Sequence, residues 1–255
     1  MSETIDIYKE VSLPAIALRG IVAFPSVQTS IEIVRNISLK AFTAAATVHD
    51  AKIILVAQKD LAVEDPTEQD MYRVGTLAKI VHVVKNPQGN LSVVFEGIAR
   101  VKIDSFDFES GFMVVSGTAK KENAVTKNDN MCDALVMEVK SRLADLKNYH
   151  PTFTEEMRLA AESISAPGYL ADFVASSAII DYKNKQTVLE SMRVKPRLEK
   201  LLVALEEEFM LLECEHDIQM QVRDKIDKNQ KDYFLREQIK AIQSELGEDD
   251  DDEIR

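Results

Sequence analysis

The side chains in this sequence with the chemistry to hold a metal or move a proton are four histidines, two cysteines and a dense set of carboxylates. His49, His82, His150 and His216 are scattered, with no two at metal-ligand spacing. Cys132 and Cys214 form no C-x-x-C pair, so neither structural zinc nor a disulfide framework is suggested. His216 stands between Glu215 and Asp217, but sequence neighbours do not share a helix face. His82 lies on a strand expected to be buried and reads as a satisfied core histidine. Glu206-Glu207-Glu208 reads as solvated helix surface rather than an acid–base pair, and no Ser/His/Asp set assembles. No glycine is followed by lysine, so there is no G-x-x-x-x-G-K-[ST] loop to cradle ATP phosphates. The expectation is a non-catalytic chain that carries no metal and no cofactor of its own.

Binding is the remaining chemistry, and charge narrows it. The net charge of −12 disfavours phosphate backbones, so nucleic acid is an unlikely partner. A nucleic-acid-binding barrel would also need a basic-aromatic stripe, which is missing. The opening MSETIDIYKE is acidic and has no apolar core, unlike a signal or transit peptide. No apolar run is long enough to span a membrane, and a reducing cytoplasm is the default compartment. Apolar side chains in a loop are better contact candidates than those in a core. Gly20 to Gln28 is such a loop, and Ile21, Val22, Phe24 and Pro25 are its candidate contacts. The competing reading tucks Phe24 under the loop as an anchor. Met131, Met137, Met157, Met192, Met210 and Met220 could furnish an adaptable surface, although core filling is the commoner use.

The elements that must position these residues change character near residue 120. Six of the eight glycines fall before it. The first part reads as short strands at Val11–Arg19, Ile31–Val34, Ile53–Ala57, Arg73–Lys85, Leu91–Phe95, Ile98–Ile103 and Phe112–Thr118. One alanine-rich helix, Leu39–His49, interrupts them, with Ser38 as its expected N-cap. Arg73–Lys85 is apolar on both faces and should be covered on both sides. Asn86 to Asn90 reads as a turn, and Lys120 to Asp129 as a polar linker. Helices follow at Asn130–Tyr149, after a Thr152/Glu155 capping box, from Pro167 through Ile179, and at Lys183–Met192.

The last helix organises the rest. From Pro196 no Pro or Gly occurs until Gly247, and at ~1.5 Å per residue that run spans about 75 Å. Leu198, Leu202, Leu205, Phe209 and Leu212 step by four and three, as do Leu235, Ile239, Ile242 and Leu246. At ~100° per residue the second stripe is rotated by about 140° from the first, so a straight helix cannot press both on one partner. The first stripe should close a bundle within the chain. The second, Leu235, Ile239, Ile242 and Leu246, should meet another module or another copy. The expected division is a β-rich barrel-like lobe over 1–120, a helical bundle over 121–195, the long helix over 196–247 and an acidic linker over 248–255. The fold class is α+β, with the long helix projecting.

Several stretches resemble one family. Tyr233 to Gly247, YFLREQIKAIQSELG, closely resembles the segment preceding the ATPase module of Lon-family ATP-dependent proteases. Leu13-Pro14 through Phe24-Pro25 is similar to that family's LP-x-x-x-LR-x-x-x-x-FP opening. Val74 to Ile80 and Glu96 to Val101 resemble its sheet motifs, and Ala166 to Asp172 resembles a bundle motif. The resemblance implies a PUA-like, Lon substrate-binding type of lobe, and a chain that stops before the ATPase and Ser–Lys protease modules. It implies unfolded or damaged proteins and selected regulators as substrates, a homohexameric parent, and ATP with Mg as the parent's cofactors. The alternative expectation is a stand-alone, non-enzymatic protein-binding adapter of the same architecture.

Overall fold

The computed structural model describes residues 8–85, 91–120 and 129–246. The expected turn over 86–90, most of the linker, Gly247 and the acidic run lie outside the described residues, as does the side chain of Leu246. The chain divides into two units, Met1–Phe209 and Met210–Arg255. The sheet and the helices before the last both fall in the first unit.

Six strands build the sheet: β1 (Tyr8–Leu18), β2 (Gln28–Ile33), β3 (Lys52–Ala57), β4 (Val74–Lys85), β5 (Leu91–Asp107) and β6 (Val114–Lys120). Their order is β2-β5-β4-β3-β1-β6, and β6 also pairs with β5. That second pairing closes β5, β4, β3, β1 and β6 into a ring, the barrel expected from the strand pattern. Closure depends on the length of β5, which replaces the two strands expected at Leu91–Phe95 and Ile98–Ile103. Its first half pairs with β2 and its second half with β6, and both halves pair with β4. Pro14 sits where β1 changes partners. Tyr8 to Pro14 run antiparallel to β6, and Ala15 to Leu18 run parallel to β3. A residue without an N–H is tolerated where one ladder ends.

The curved sheet is apolar on both faces. Ile16, Leu18, Ile53, Leu55, Val93 and Phe95 form one core with Ala41 and Ala45 of α1 (Asn36–Val48). Ala15, Ile54, Val56, Val101, Ile103 and Val115 form the other. Strand β3 feeds both, as its unbroken apolar run requires. Strand β4 does so only in its first part: Ala78 lies in the first core and Leu77 packs against the second, but Val81 to Lys85 are exposed, His82 among them. His82 is therefore not a core histidine.

The helices are α2 (Asn130–Leu146), α3 (Glu155–Ser163), α4 (Pro167–Ala178), α5 (Tyr182–Leu189) and α6 (Val194–Leu246). Pro167 opens α4 as expected. Thr154, not Thr152, caps α3, accepting from the Met157 N–H. The Thr152 N–H instead donates to His150 Nδ1 at 3.2 Å. Ser38 caps nothing; the N-cap position of α1 is Arg35. In α2 the buried stripe is Cys132, Val139, Leu143 and Leu146, while Met131 is exposed. Met131, Met137, Met157, Met210 and Met220 are all exposed and Met192 is half-buried, so these six do not fill the core as Met71 and Met113 do.

Candidate functional site

Among the described residues no three His, Cys, Asp or Glu side chains could hold one metal ion. Cys132 is buried, and that burial raises its thiol pKa and keeps it protonated. His150 is buried in the α2–α3 connection. Its Nδ1 accepts the Phe153 N–H at 2.8 Å and the Thr152 N–H at 3.2 Å. An acceptor at Nδ1 places the proton of the neutral ring on Nε2. Burial and then the Lys185 charge lower the His150 pKa, which favours that neutral form. Glu208 corrects the reading of Glu206 to Glu208 as open surface. It is buried, and its carboxylate accepts the Ile180 N–H at 3.0 Å. Glu206 pairs with Arg142 and Glu207 accepts from Asn184. All three carboxylates tie helices together, and none forms an acid–base pair.

The loop expected to offer apolar contacts is mostly an anchor. Phe24 has no exposed surface, Val22 and Pro25 are buried, and Ile21 alone of the four candidates is exposed. The cause lies in residues distant in sequence. Thr76 Oγ1 donates to the Ala23 carbonyl at 2.7 Å. The Ser26 N–H donates to the Gly97 carbonyl, and the Gly97 N–H donates to the Val27 carbonyl. A Cβ at Gly97 would run into the Phe24 carbonyl and Pro25 Cα, so this strand position admits only glycine. Three of the stretches quoted above, around Phe24-Pro25, Val74-Gly75-Thr76 and Glu96-Gly97, therefore meet at one place.

The remaining bundle motif meets the same strand three residues on. Arg100 of β5 forms a two-pronged ion pair with Asp172 of α4, with Nη1 to Oδ2 at 2.8 Å. Its Nε donates to the Leu189 carbonyl at 2.9 Å. Arg197, in the first turns of α6, reaches Asp172 Oδ2 at 3.5 Å and donates through Nε to the Ser191 carbonyl. All three charged residues are at most 3% exposed. Gln186 adds a further tie, donating to the Val74 carbonyl, as does the Tyr182 hydroxyl to the Lys59 carbonyl. The 190 Å³ cavity beside Arg100 and Asp172 belongs to this joint between sheet and helices. These polar residues hold the architecture. In the sequence Arg100 and Asp172 are visible only as motif letters, and the partners in this joint lie up to 123 residues apart.

Surface suited to binding lies elsewhere. Two grooves, of about 350 and 270 Å³, flank the end of β1 and share Ala17, Arg35 and Ser38. The larger takes in Ile21, Ile31, Ile33 and Val34, and the smaller Ile37, Phe108 and Met113. Ile21, Val34, Ile37 and Phe108 are exposed, which makes this an apolar surface open to solvent. Of its lining only Ile21 was legible beforehand. A second apolar surface is in the unit Met210–Arg255. There Leu235, Ile239 and Ile242 are exposed by 45–56%, and Tyr233 and Phe234 by more than 60%.

Comparison with known proteins follows the same division. Residues 12–207 match the family model described as the ATP-dependent protease La (LON) substrate-binding domain. That range ends two residues before the first unit does. The Lon protease of Brevibacillus choshinensis is 34% identical over 93% of the chain, and that of Escherichia coli K12 33% over 95%. The chain spans only about 30% of these relatives' length. Among solved structures, the N-terminal domain of a Mycobacterium avium complex Lon protease superposes with a TM-score of 0.63 at 20% identity, covering 77% of this chain and 98% of that one. A Lon N-terminal domain protein from Xanthomonas campestris gives 0.53 at 13%, covering 76% and 98%. At these identities the two likenesses concern the fold.

Proposed function

The chain belongs to the Lon protease family as its substrate-binding domain, and on that premise we propose that it is the non-catalytic substrate-engaging and assembly region of an ATP-dependent serine protease. Its substrates are misfolded or damaged proteins and selected short-lived regulators. Such chains present apolar segments, and the grooves beside β1 offer an exposed apolar surface on a rigid scaffold. Several weak sites brought together in one homohexamer would gain by avidity. ATP and Mg act in the parent's ATPase module, and the parent works in the cytoplasm. Among the described residues no helix is long and apolar enough to cross a membrane.

The observation that carries this reading is the match of the family model to residues 12–207, nearly the whole of the first unit. Leu235, Ile239, Ile242 and Leu246 of the second unit then take the assembly role, against an ATPase module or a neighbouring subunit. The test is capture of a permanently unfolded protein, one reduced and alkylated at its cysteines, set against its native form. The chain should bind the unfolded form and ignore the native one. Equal or absent binding of both would remove the substrate-engaging role.

A further inference from the structure

One feature of the groove region is not explained by packing. Helix α1 starts at Asn36, and no side chain caps its first turn. Its leading N–H groups therefore have no side-chain partner, and they carry the positive end of the helix dipole. Ser38, in that turn, is 7% exposed, lines both grooves, and its hydroxyl makes no hydrogen bond among the described residues. The residue is thus largely enclosed, but its oxygen is still reached by solvent and free to take a ligand. Arg19 and Arg35 stand beside it and together line a third groove with Asn36 and Ile37. Both guanidinium groups donate to neutral acceptors, Arg19 to the Val63 carbonyl at 2.9 Å and Arg35 to Gln58 Oε1 at 3.3 Å. Burial first, and then the charge of Arg19, lowers the Arg35 pKa, while Asp65 and Glu64 offset part of this.

A helix N-terminus, an unpartnered hydroxyl in the groove wall and two guanidinium groups are the chemistry of an anion site. The acids around it limit which anion. Glu32, Glu64 and Asp65 line the same grooves and would repel a phosphate or a polyanion more than a single carboxylate. The walls limit it further, because Ile21, Val34, Ile37, Phe108 and Met113 are apolar. In an Asp or Glu residue the carboxylate replaces an apolar side chain. In the last residue of a polypeptide, a carboxylate and an apolar side chain hang from the same Cα. Only the terminal residue offers both partners to this site at once.

We propose that the start of α1 receives the C-terminal carboxylate of a substrate polypeptide whose last residues are apolar. Ser38 Oγ and the leading N–H groups of α1 donate to the carboxylate, Arg19 and Arg35 flank it, and the adjoining grooves hold the terminal side chains. This rests on the substrate-binding reading and says where and by what chemistry one class of substrate is held.

The test uses the full chain and three labelled peptides of one apolar sequence. The first ends in a free acid, the second in an amide, and the third is an amide with Glu as its last residue. The free acid should bind about tenfold more tightly than the amide, a difference of about 1.4 kcal/mol. In the Arg19→Gln/Ser38→Ala double variant, checked for an unchanged melting temperature, the acid should fall to within about twofold of the amide. Binding of the amide itself should not change. Equal affinity for acid and amide overturns the proposal, as does an acid preference that survives in the double variant. A Glu-amide peptide that matches the free acid overturns the C-terminal assignment, and so does inorganic phosphate that displaces the peptide at similar concentration. Capture of the alkylated unfolded protein is measured in parallel. If capture persists without an acid preference, this site fails and the substrate-binding reading stands; if capture is absent too, both fail.

Discussion

The two ends of α6 carry nearly the same apolar rhythm and meet different fates. In the first unit Leu198, Leu201 and Leu205 are at most 2% exposed, with Ala204 and Glu208 beside them. In the second, Leu235, Ile239 and Ile242 are about half exposed. Periodicity thus tells that a helix face can be buried and leaves open what buries it. In the first unit α2, α4 and α5 reach α6 through Arg142, Asp172 and Asn184, and the buried face is Leu198, Leu201, Leu205 and Glu208, with Leu202 and Phe209 only half-buried. Leu198 and Leu205 of the expected stripe lie on that face, and Leu201 and Glu208 take the places expected of Leu202 and Phe209. A buried carboxylate and the charge of Arg197 are part of the real one, and hydropathy does not count such residues.

Breaking the first end should have the largest effect. Asp172→Ala would leave Arg100 and Arg197 buried without their shared carboxylate, and loss of one member of a buried ion pair typically costs about 3–5 kcal/mol. Urea unfolding should show the first unit losing that stability, and a loss under about 1 kcal/mol would mean that the joint is not held by charge. Leu201→Ala, at a fully buried position, should cost about 2–5 kcal/mol by the same measurement.

The matched substitution in the other unit sharpens the contrast. Ile239→Ala, at a position 55% exposed, should change stability by about 0.5 kcal/mol or less. Paired with Ile242→Ala it should weaken any self-association seen by sedimentation. Equal destabilisation by Leu201→Ala and Ile239→Ala would erase the distinction between the two ends.

A pH titration probes a smaller term at the α2–α3 connection. The folded His150 pKa lies below its ordinary 6.5, through burial first and the Lys185 charge second. Below pH 6.5 the unfolded chain therefore binds a proton that the folded chain resists. The contribution of His150 is fully present above that pH and is lost as the pH falls. Protonating Nδ1 also breaks its bonds with the Thr152 and Phe153 N–H groups. Stability measured between pH 7.5 and 5 should decline, and His150→Asn should flatten that decline. An unchanged slope would show that other groups set it.

How far the site was legible follows the range of the interactions. Ile21 was identified correctly as an exposed apolar residue because it is local to its loop. Phe24 and Pro25 were candidates on the same grounds, but Thr76 and Gly97 hold that loop against the sheet, and neither is near it in sequence. Ser38 carries an N-cap signature, yet α1 begins at Asn36, three residues before the expected Leu39, which moves its hydroxyl from the cap position into a groove wall. His82 looked buried because β4 alternates apolar residues on both faces, but the second half of that strand runs beyond the core.

The sequence by itself determined the order of strands and helices, the long α6, the absence of a phosphate-binding loop and the family. Each of these is written in local periodicity, in glycine and proline placement, or in contiguous motifs. Tertiary structure alone decided that β5 would close the barrel by pairing with β6, that Arg100 and Arg197 would share Asp172, and that the grooves would open beside β1. Each of these depends on groups brought together across long stretches of chain, where a hydrogen bond or an ion pair leaves no periodic mark for a linear reading to find.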